Sequence, residues 1–222
     1  MKASLFALFV SLLMLGCGES LPLEELKMNG KHTEYYDDGQ KKEEGIYKDS
    51  EKEGLWTKWY ANGKKKAELN YKDDELDGLA TLWHENGQKK REGNFKDGKA
   101  CGLWISWYEN GQKWEEINWK DGNKDGLSTK WHFNGQKVRE INFKDGKPMS
   151  VQVWKPNGEK CPVTNVKDGN GVWVSYKEDG TERNRSTFKD GSRVEEVEIF
   201  YNEDGTEKFR RRSTYKDGER VD

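Results

Sequence analysis

Gly54-Leu-Trp-Thr-Lys-Trp-Tyr-Ala-Asn-Gly63 is the stretch that decides the fold of this chain. Its first half alternates with a period of two and it ends on an Asn-Gly pair, so it reads as a strand running into a tight turn. The stretch returns as Gly78–Gly87, Gly102–Gly111 and Gly126–Gly135. Its turn glycine comes round at Gly39, Gly63, Gly87, Gly111, Gly135, Gly158, Gly180 and Gly205, in steps of 24 residues at first and of 23, 22 and 25 at the end. A Lys-Asp pair follows each turn, from Lys48-Asp49 to Lys216-Asp217. Self-similarity at this period means a repeat array, in which each unit packs on its neighbours, and not a globular fold round one cleft.

Within a repeat, Leu55, Thr57 and Trp59 point one way, as do Leu79, Thr81 and Trp83, then Leu103, Ile105 and Trp107, then Leu127, Thr129 and Trp131. After the turn comes an apolar pair two apart: Leu69 and Tyr71, Ile117 and Trp119, Ile141 and Phe143. Each repeat is therefore a β-hairpin. A two-residue Asn62-Gly63 turn would split these two sets between opposite faces. A three-residue loop, Ala61-Asn62-Gly63 with Gly63 left-handed, pairs Tyr60 with Lys64, Thr57 with Ala67 and Leu55 with Leu69, and gathers them on one face. The sequence thus predicts the three-residue loop and a core face of Leu55, Thr57, Trp59, Leu69 and Tyr71. Lys-Asp-Gly opens each connection to the next hairpin, and no connection has a helical pattern. The predicted fold is all-β: an elongated single-layer antiparallel meander of about eight hairpins over residues 31–220, up to sixteen strands. Pro156 and Pro162 and altered spacing predict a bend or defect in the sixth copy. Lys31, Thr33 and Tyr35 at the apolar positions of the first copy suit an exposed sheet edge.

The first sixteen residues stand outside this pattern. Lys2 precedes an apolar run, Leu5 to Leu15, too short for a bilayer span and fitting a signal peptide. Met14-Leu15-Gly16-Cys17 closes it and resembles the bacterial lipobox, with Met14 where Leu is usual. That resemblance implies cleavage before Cys17, acylation of its thiol, and residues 17–30 as a tether to the array. It also implies a membrane partner through an N-terminal lipid anchor. By the sorting rule of such lipoproteins, Asp after the Cys retains a protein in the inner membrane. Gly18 stands there, which implies the outer membrane.

Charged residues make up 36% of the chain against 32% apolar, a balance that borders on disorder, yet net charge is only −2 and ten Trp, nine Tyr and eight Phe recur at fixed repeat positions. Near-neutrality removes the basic face that a nucleic-acid partner needs, and Arg210-Arg211-Arg212 reads as a solvated terminal strand. Cys101 and Cys161 lie more than two repeats apart, hence roughly 20 Å at about 10 Å per repeat, beyond the reach of a disulfide. Two free thiols are expected.

The other side of the predicted sheet carries Trp56 and Tyr60, which recur as Trp104 and Tyr108, with Trp173 in a later copy and Trp114 on an adjoining strand. The intervening copies have Ala80 and His84, then Ser128 and His132. Aromatic rings on a polar face form a candidate ligand face, stacking on sugar rings or on a partner; the other reading lays them under neighbouring lysine stems. His84 and His132 are too far apart to share a metal, and His32 reads as a surface histidine. Asp121-Gly-Asn123-Lys-Asp125-Gly126 imitates a calcium loop but has His132 where a bidentate Glu is needed. Glu68, Glu92, Glu116 and Glu140 form a ladder balanced by lysines, alongside one of Asn70, Asn94, Asn118 and Asn142. No nucleophile–base grouping and no phosphate loop appears, so catalytic residues, metal and cofactor are all expected to be none.

The pattern Gly-Leu-Trp-x-x-Trp-Tyr-x-Asn-Gly-Gln-Lys-x-x-Glu-x-Asn-Phe-Lys-Asp-Gly resembles the MORN-repeat variant, whose bacterial members include antitoxin-like proteins and exported lipoproteins. The resemblance covers about residues 31–220 and implies a non-catalytic binding or scaffold role; the antitoxin role does not suit a lipobox. Together these readings predict an envelope lipoprotein whose sheet docks a protein, or binds glycan or peptidoglycan through the aromatic face.

Overall fold

The computed structural model describes residues 27–221, so the expected signal peptide, Cys17 and most of the expected tether lie outside the described residues. Every regular element among the described residues is a β-strand. The first eleven are β1 (Gly30–Tyr35), β2 (Lys41–Lys48), β3 (Glu51–Trp59), β4 (Lys65–Lys72), β5 (Glu75–Trp83), β6 (Lys89–Lys96), β7 (Lys99–Trp107), β8 (Lys113–Lys120), β9 (Asn123–Trp131), β10 (Lys137–Lys144) and β11 (Lys147–Val153). They form one antiparallel meander in sequence order. A second sheet of five strands follows: β12 (Gly171–Tyr176), β13 (Glu182–Lys189), β14 (Ser192–Tyr201), β15 (Glu207–Lys216) and β16 (Glu219–Arg220). The sheet breaks in the sixth copy, where the prolines predict a defect. Residues 154–170 there make only isolated bridges, Trp154 with Lys160 and Lys167 with Asn170.

Two turns alternate along the meander. At one end the Tyr60 amide donates to the Lys64 carbonyl (2.9 Å) and the Gly63 amide to the Tyr60 carbonyl (3.0 Å), with Gly63 at φ 77°. This is the expected three-residue loop. At the other end two residues suffice, and both take positive φ, as at Asp97 (46°) and Gly98 (70°), the turn whose twist matches paired strands.

The predicted core face is wrong, although the loop is right. Lys58 pairs with Ala67 but Trp59 pairs with Lys65, so Lys66 is an extra residue bulged out of β4. The bulge shifts register by one and carries every later side chain of β4 to the other face. Trp56, not Leu55, opposes Leu69, and Leu55 opposes Asn70. Trp59 and Tyr71 therefore lie on opposite faces. Trp56 and Ala80 are 1% exposed, whereas Leu55 and Leu79 are 51% and 46% exposed.

The inward-facing row crosses the sheet as Gly45, Trp56, Leu69, Ala80, Gly93, Trp104, Ile117, Ser128, Ile141 and Val151, all buried except the half-buried Leu69. Large and small residues complement one another along it. A Cβ on Gly45 would lie 2.1 Å from Cδ2 of Trp56, so only glycine admits the indole. The second main core sits where the two sheets meet. It joins Ile141, Val151 and Val153 to Cys161 and Val166 of the irregular segment and to Val174 and Phe188.

Candidate functional site

The six residues of the expected ligand face do not form an open platform. Trp56 lies between Tyr47 (4.9 Å, edge-on) and Tyr71 (6.4 Å), its Nε1 donates to the Ile46 carbonyl (3.2 Å), and the Lys52 ammonium sits 3.9 Å from its ring centre. Trp104 repeats this with Phe95 (4.9 Å), the Asn94 carbonyl (3.1 Å) and the Arg91 guanidinium (4.7 Å). Lys130 covers Trp114 at 4.9 Å and Arg139 covers Trp173 at 5.3 Å. Each tryptophan of the set thus carries its own cation, and Trp56 and Trp104 are core. The bulge decides this, because it turns the Trp56 side of β3 onto Leu69.

Tyr60 and Tyr108 are latches between repeats. The Tyr60 hydroxyl donates to the Trp83 carbonyl (2.7 Å) and the Tyr108 hydroxyl to the Trp131 carbonyl (2.9 Å). Tyr36 reaches Trp59 in the same way (2.7 Å), and His84 replaces tyrosine, its Nε2 lying 2.9 Å from the Trp107 carbonyl. Burial holds the Tyr60 and Tyr108 phenols above their ordinary range, and the carboxylates of Glu85 and Glu109 add to this at Tyr60.

The histidines and acids have structural work. His32 packs on Tyr47 (5.5 Å) and Trp56 (6.1 Å). Asp121 and Gly122 form the two-residue turn before β9, so the calcium-like stretch is a hairpin connection. Among the described residues no three His, Cys, Asp or Glu side chains gather to hold a metal. Glu68, Glu92, Glu116 and Glu140 each pair with the lysine three residues earlier. Asn70 and Asn118 donate to the Leu79 (2.6 Å) and Leu127 (2.8 Å) carbonyls. Cys101 and Cys161 are free thiols. Cys161 is buried, with Sγ 2.9 Å from the Tyr176 hydroxyl. Burial, then this contact, raises the Tyr176 phenol.

The exposed side of the long sheet is the one expected to be core. Leu55, Leu79, Leu103 and Leu127 stand in a row, all about half exposed. Beyond a Thr/Ile and Glu row lies a row of half-buried Trp59, Trp83, Trp107 and Trp131. Lys41, Lys65 and Lys89 reach over the first three of these, 5.6–5.8 Å from the ring centres. Sequence reasoning missed this surface, although the period-two pattern had singled out its residues.

A family model described as MORN repeat variant matches five consecutive segments: residues 28–49, 52–73, 76–97, 100–121 and 124–145. Each segment spans one strand, a three-residue loop and the next strand. No curated protein matches the chain.

Proposed function

This chain belongs to the MORN-repeat family, and we propose that it is a non-catalytic, lipid-anchored scaffold that docks a protein partner at the bacterial cell envelope. One observation carries the docking half: the leucine row on the open face of the long sheet. A leucine returns about every 10 Å, once per hairpin, with tryptophans and paired Lys-Glu side chains beside it. The leucines alternate along the row with Asn70, Asn94 and Asn118, so the face offers evenly spaced apolar anchors set among polar groups, a mixture that a protein interface can use. Sugar stacking has less support, because the indoles of Trp56 and Trp104 are enclosed.

The lipobox at Cys17 supports the anchoring half. Two variants test the reading. Cys17→Ser is expected to leave an unprocessed precursor without acyl label, and labelled wild type is expected in the membrane fraction. Leu79→Asp with Leu103→Asp changes only exposed side chains, so the fold is expected to persist while a partner cross-linked to wild type in the envelope is lost. An unlabelled wild type overturns the anchor, and identical cross-linked products from wild type and double variant overturn the leucine face.

A further inference from the structure

Where β10 meets the second sheet, a cavity of about 300 Å³ opens, whose lining includes Arg139, Trp173, Arg183, Asn184, Arg193 and the carboxylate of Glu198. Its volume is at the small end for small-molecule sites. Three arginines in one cavity invite a charge balance. Glu198 is satisfied from outside, accepting from Arg211 Nε at 2.8 Å. Arg193 donates to Glu196 Oε2 at 2.8 Å, and Asn184 Nδ2 donates to the other oxygen of that carboxylate at 2.7 Å. Arg193 and Glu198 are thus already neutralised.

Arg183 is not, and Arg139 is only in part. Glu115 forms a long ion pair with Arg139 at 4.0 Å, beyond hydrogen-bond reach, and also faces Lys130, while the Arg139 guanidinium rests on the Trp173 ring. Lys130, its cross-strand neighbour, adds a like charge. Arg183 is the extra residue of a bulge in β13, where Ser175 pairs with Asn184 and Tyr176 with Glu182. Bulges commonly re-aim a side chain, and here the bulged residue lines the cavity without a hydrogen bond or ion pair among the described residues. Arg183, an exposed guanidinium without a carboxylate, and Arg139, which shares Glu115 with Lys130, therefore bring excess positive charge to one half-enclosed space. A guanidinium presents N–H groups in a planar fork that matches carboxylate and phosphate oxygens.

We propose that this cavity is an oxyanion site, which takes a small polar molecule bearing a carboxylate or a phosphate between Arg139 and Arg183. Trp173 holds the Arg139 fork in place, and Ser186 supplies a hydroxyl for the rest of the ligand. The proposal stands independently of the leucine face and of the lipid anchor.

Isothermal titration of the full chain at low ionic strength tests it, with inorganic phosphate, galacturonate and neutral galactose as probes. Saturable one-to-one binding of phosphate or galacturonate, and none of galactose, is expected; the tighter of the two anions identifies the head group. Arg183→Gln is expected to weaken that binding about ten- to a hundredfold, the range for one charge-assisted hydrogen bond, with an unchanged melting curve. Arg139→Lys keeps the charge without the fork and is expected to fall between wild type and Arg139→Gln. Arg212→Gln is the control, since Arg212 alternates to the other face of β15 from Arg211 and pairs with Glu195. The proposal is overturned if neither anion saturates, if galactose binds as well as galacturonate, or if Arg183→Gln binds like wild type. Equal weakening by Arg212→Gln would reduce the effect to general surface charge and overturn it too.

Discussion

The indole of Trp104 rests against the backbone of Gly93, so closely that a Cβ at Gly93 would lie 2.1 Å from Trp104 Cδ2. Gly45 and Trp56 stand in the same relation, 48 residues earlier. Elsewhere in the row the positions of these glycines hold Leu69, Ile117 and Ile141, and those of the tryptophans hold Ala80 and Ser128.

Gly93→Ala sets strand propensity against this fit. Alanine is favoured over glycine in a strand by roughly 0.5–1 kcal/mol. The added methyl collides with a buried ring, and overpacking of that kind costs about 1–3 kcal/mol. Net destabilisation in urea unfolding is expected. A neutral or stabilising result would mean that the indole moves aside freely. Adding Trp104→Ala is expected to erase the penalty, which a double-mutant cycle reads directly.

Trp104→Ala is expected to cost about 3–5 kcal/mol, as for a core aromatic, and Leu103→Ala to stay within about 0.5 kcal/mol. This reverses the order that the alternating pattern alone implies for neighbouring residues. Comparable losses at both positions would mean that both faces are covered in solution.

Tyr60→Phe removes one hydrogen bond between repeats and leaves the Trp83 carbonyl without that donor. A loss of about 1 kcal/mol is expected, measured by chemical unfolding. Tyr71→Phe serves as a comparison, since its hydroxyl makes no such latch among the described residues.

Alkali is expected to weaken the array. The folded-state phenols of Tyr60 and Tyr108 titrate above the unfolded value of about 10 because burial disfavours the phenolate. Groups raised in this way contribute stability that is complete below the unfolded value and is lost as pH rises through the folded ones. Melting temperature is therefore expected to fall above about pH 10, and less steeply in Tyr60→Phe with Tyr108→Phe. An identical alkaline slope in both proteins would remove the tyrosines as the cause.

The period, the hairpins, the three-residue loops and the break near Pro156 and Pro162 are legible in the sequence, because each follows from local turn chemistry. The buried face is not legible by counting alternation. Lys66 resembles any exposed strand residue, yet as a bulge it reverses the sides of all that follows in β4. Gly54, Gly78, Gly102 and Gly126, all with positive φ, bend the odd-numbered strands in a similar way. One signal was open to reading: Gly45 and Gly93 interrupt an aliphatic position in the two copies whose next strand supplies Trp56 and Trp104. The arginine cavity, by contrast, joins residues of distant copies across the sheet break, and no local pattern announces it.

The pairing of Trp104 with Gly93 also governs how such a chain can change length. Excising 74–97 rejoins Asp73 to Gly98 and keeps a proper turn, but seats Trp104 beside Leu69 with no glycine to receive the ring. Excising 74–121 rejoins Asp73 to Gly122 and sets Ser128 beside Leu69, which preserves the alternation of bulk. The longer excision is expected to leave the more stable protein, an order that comparative melting can check. A gene of this kind gains or loses hairpins most safely two at a time, so the heritable module in this part of the array is twice the repeat that the eye first sees.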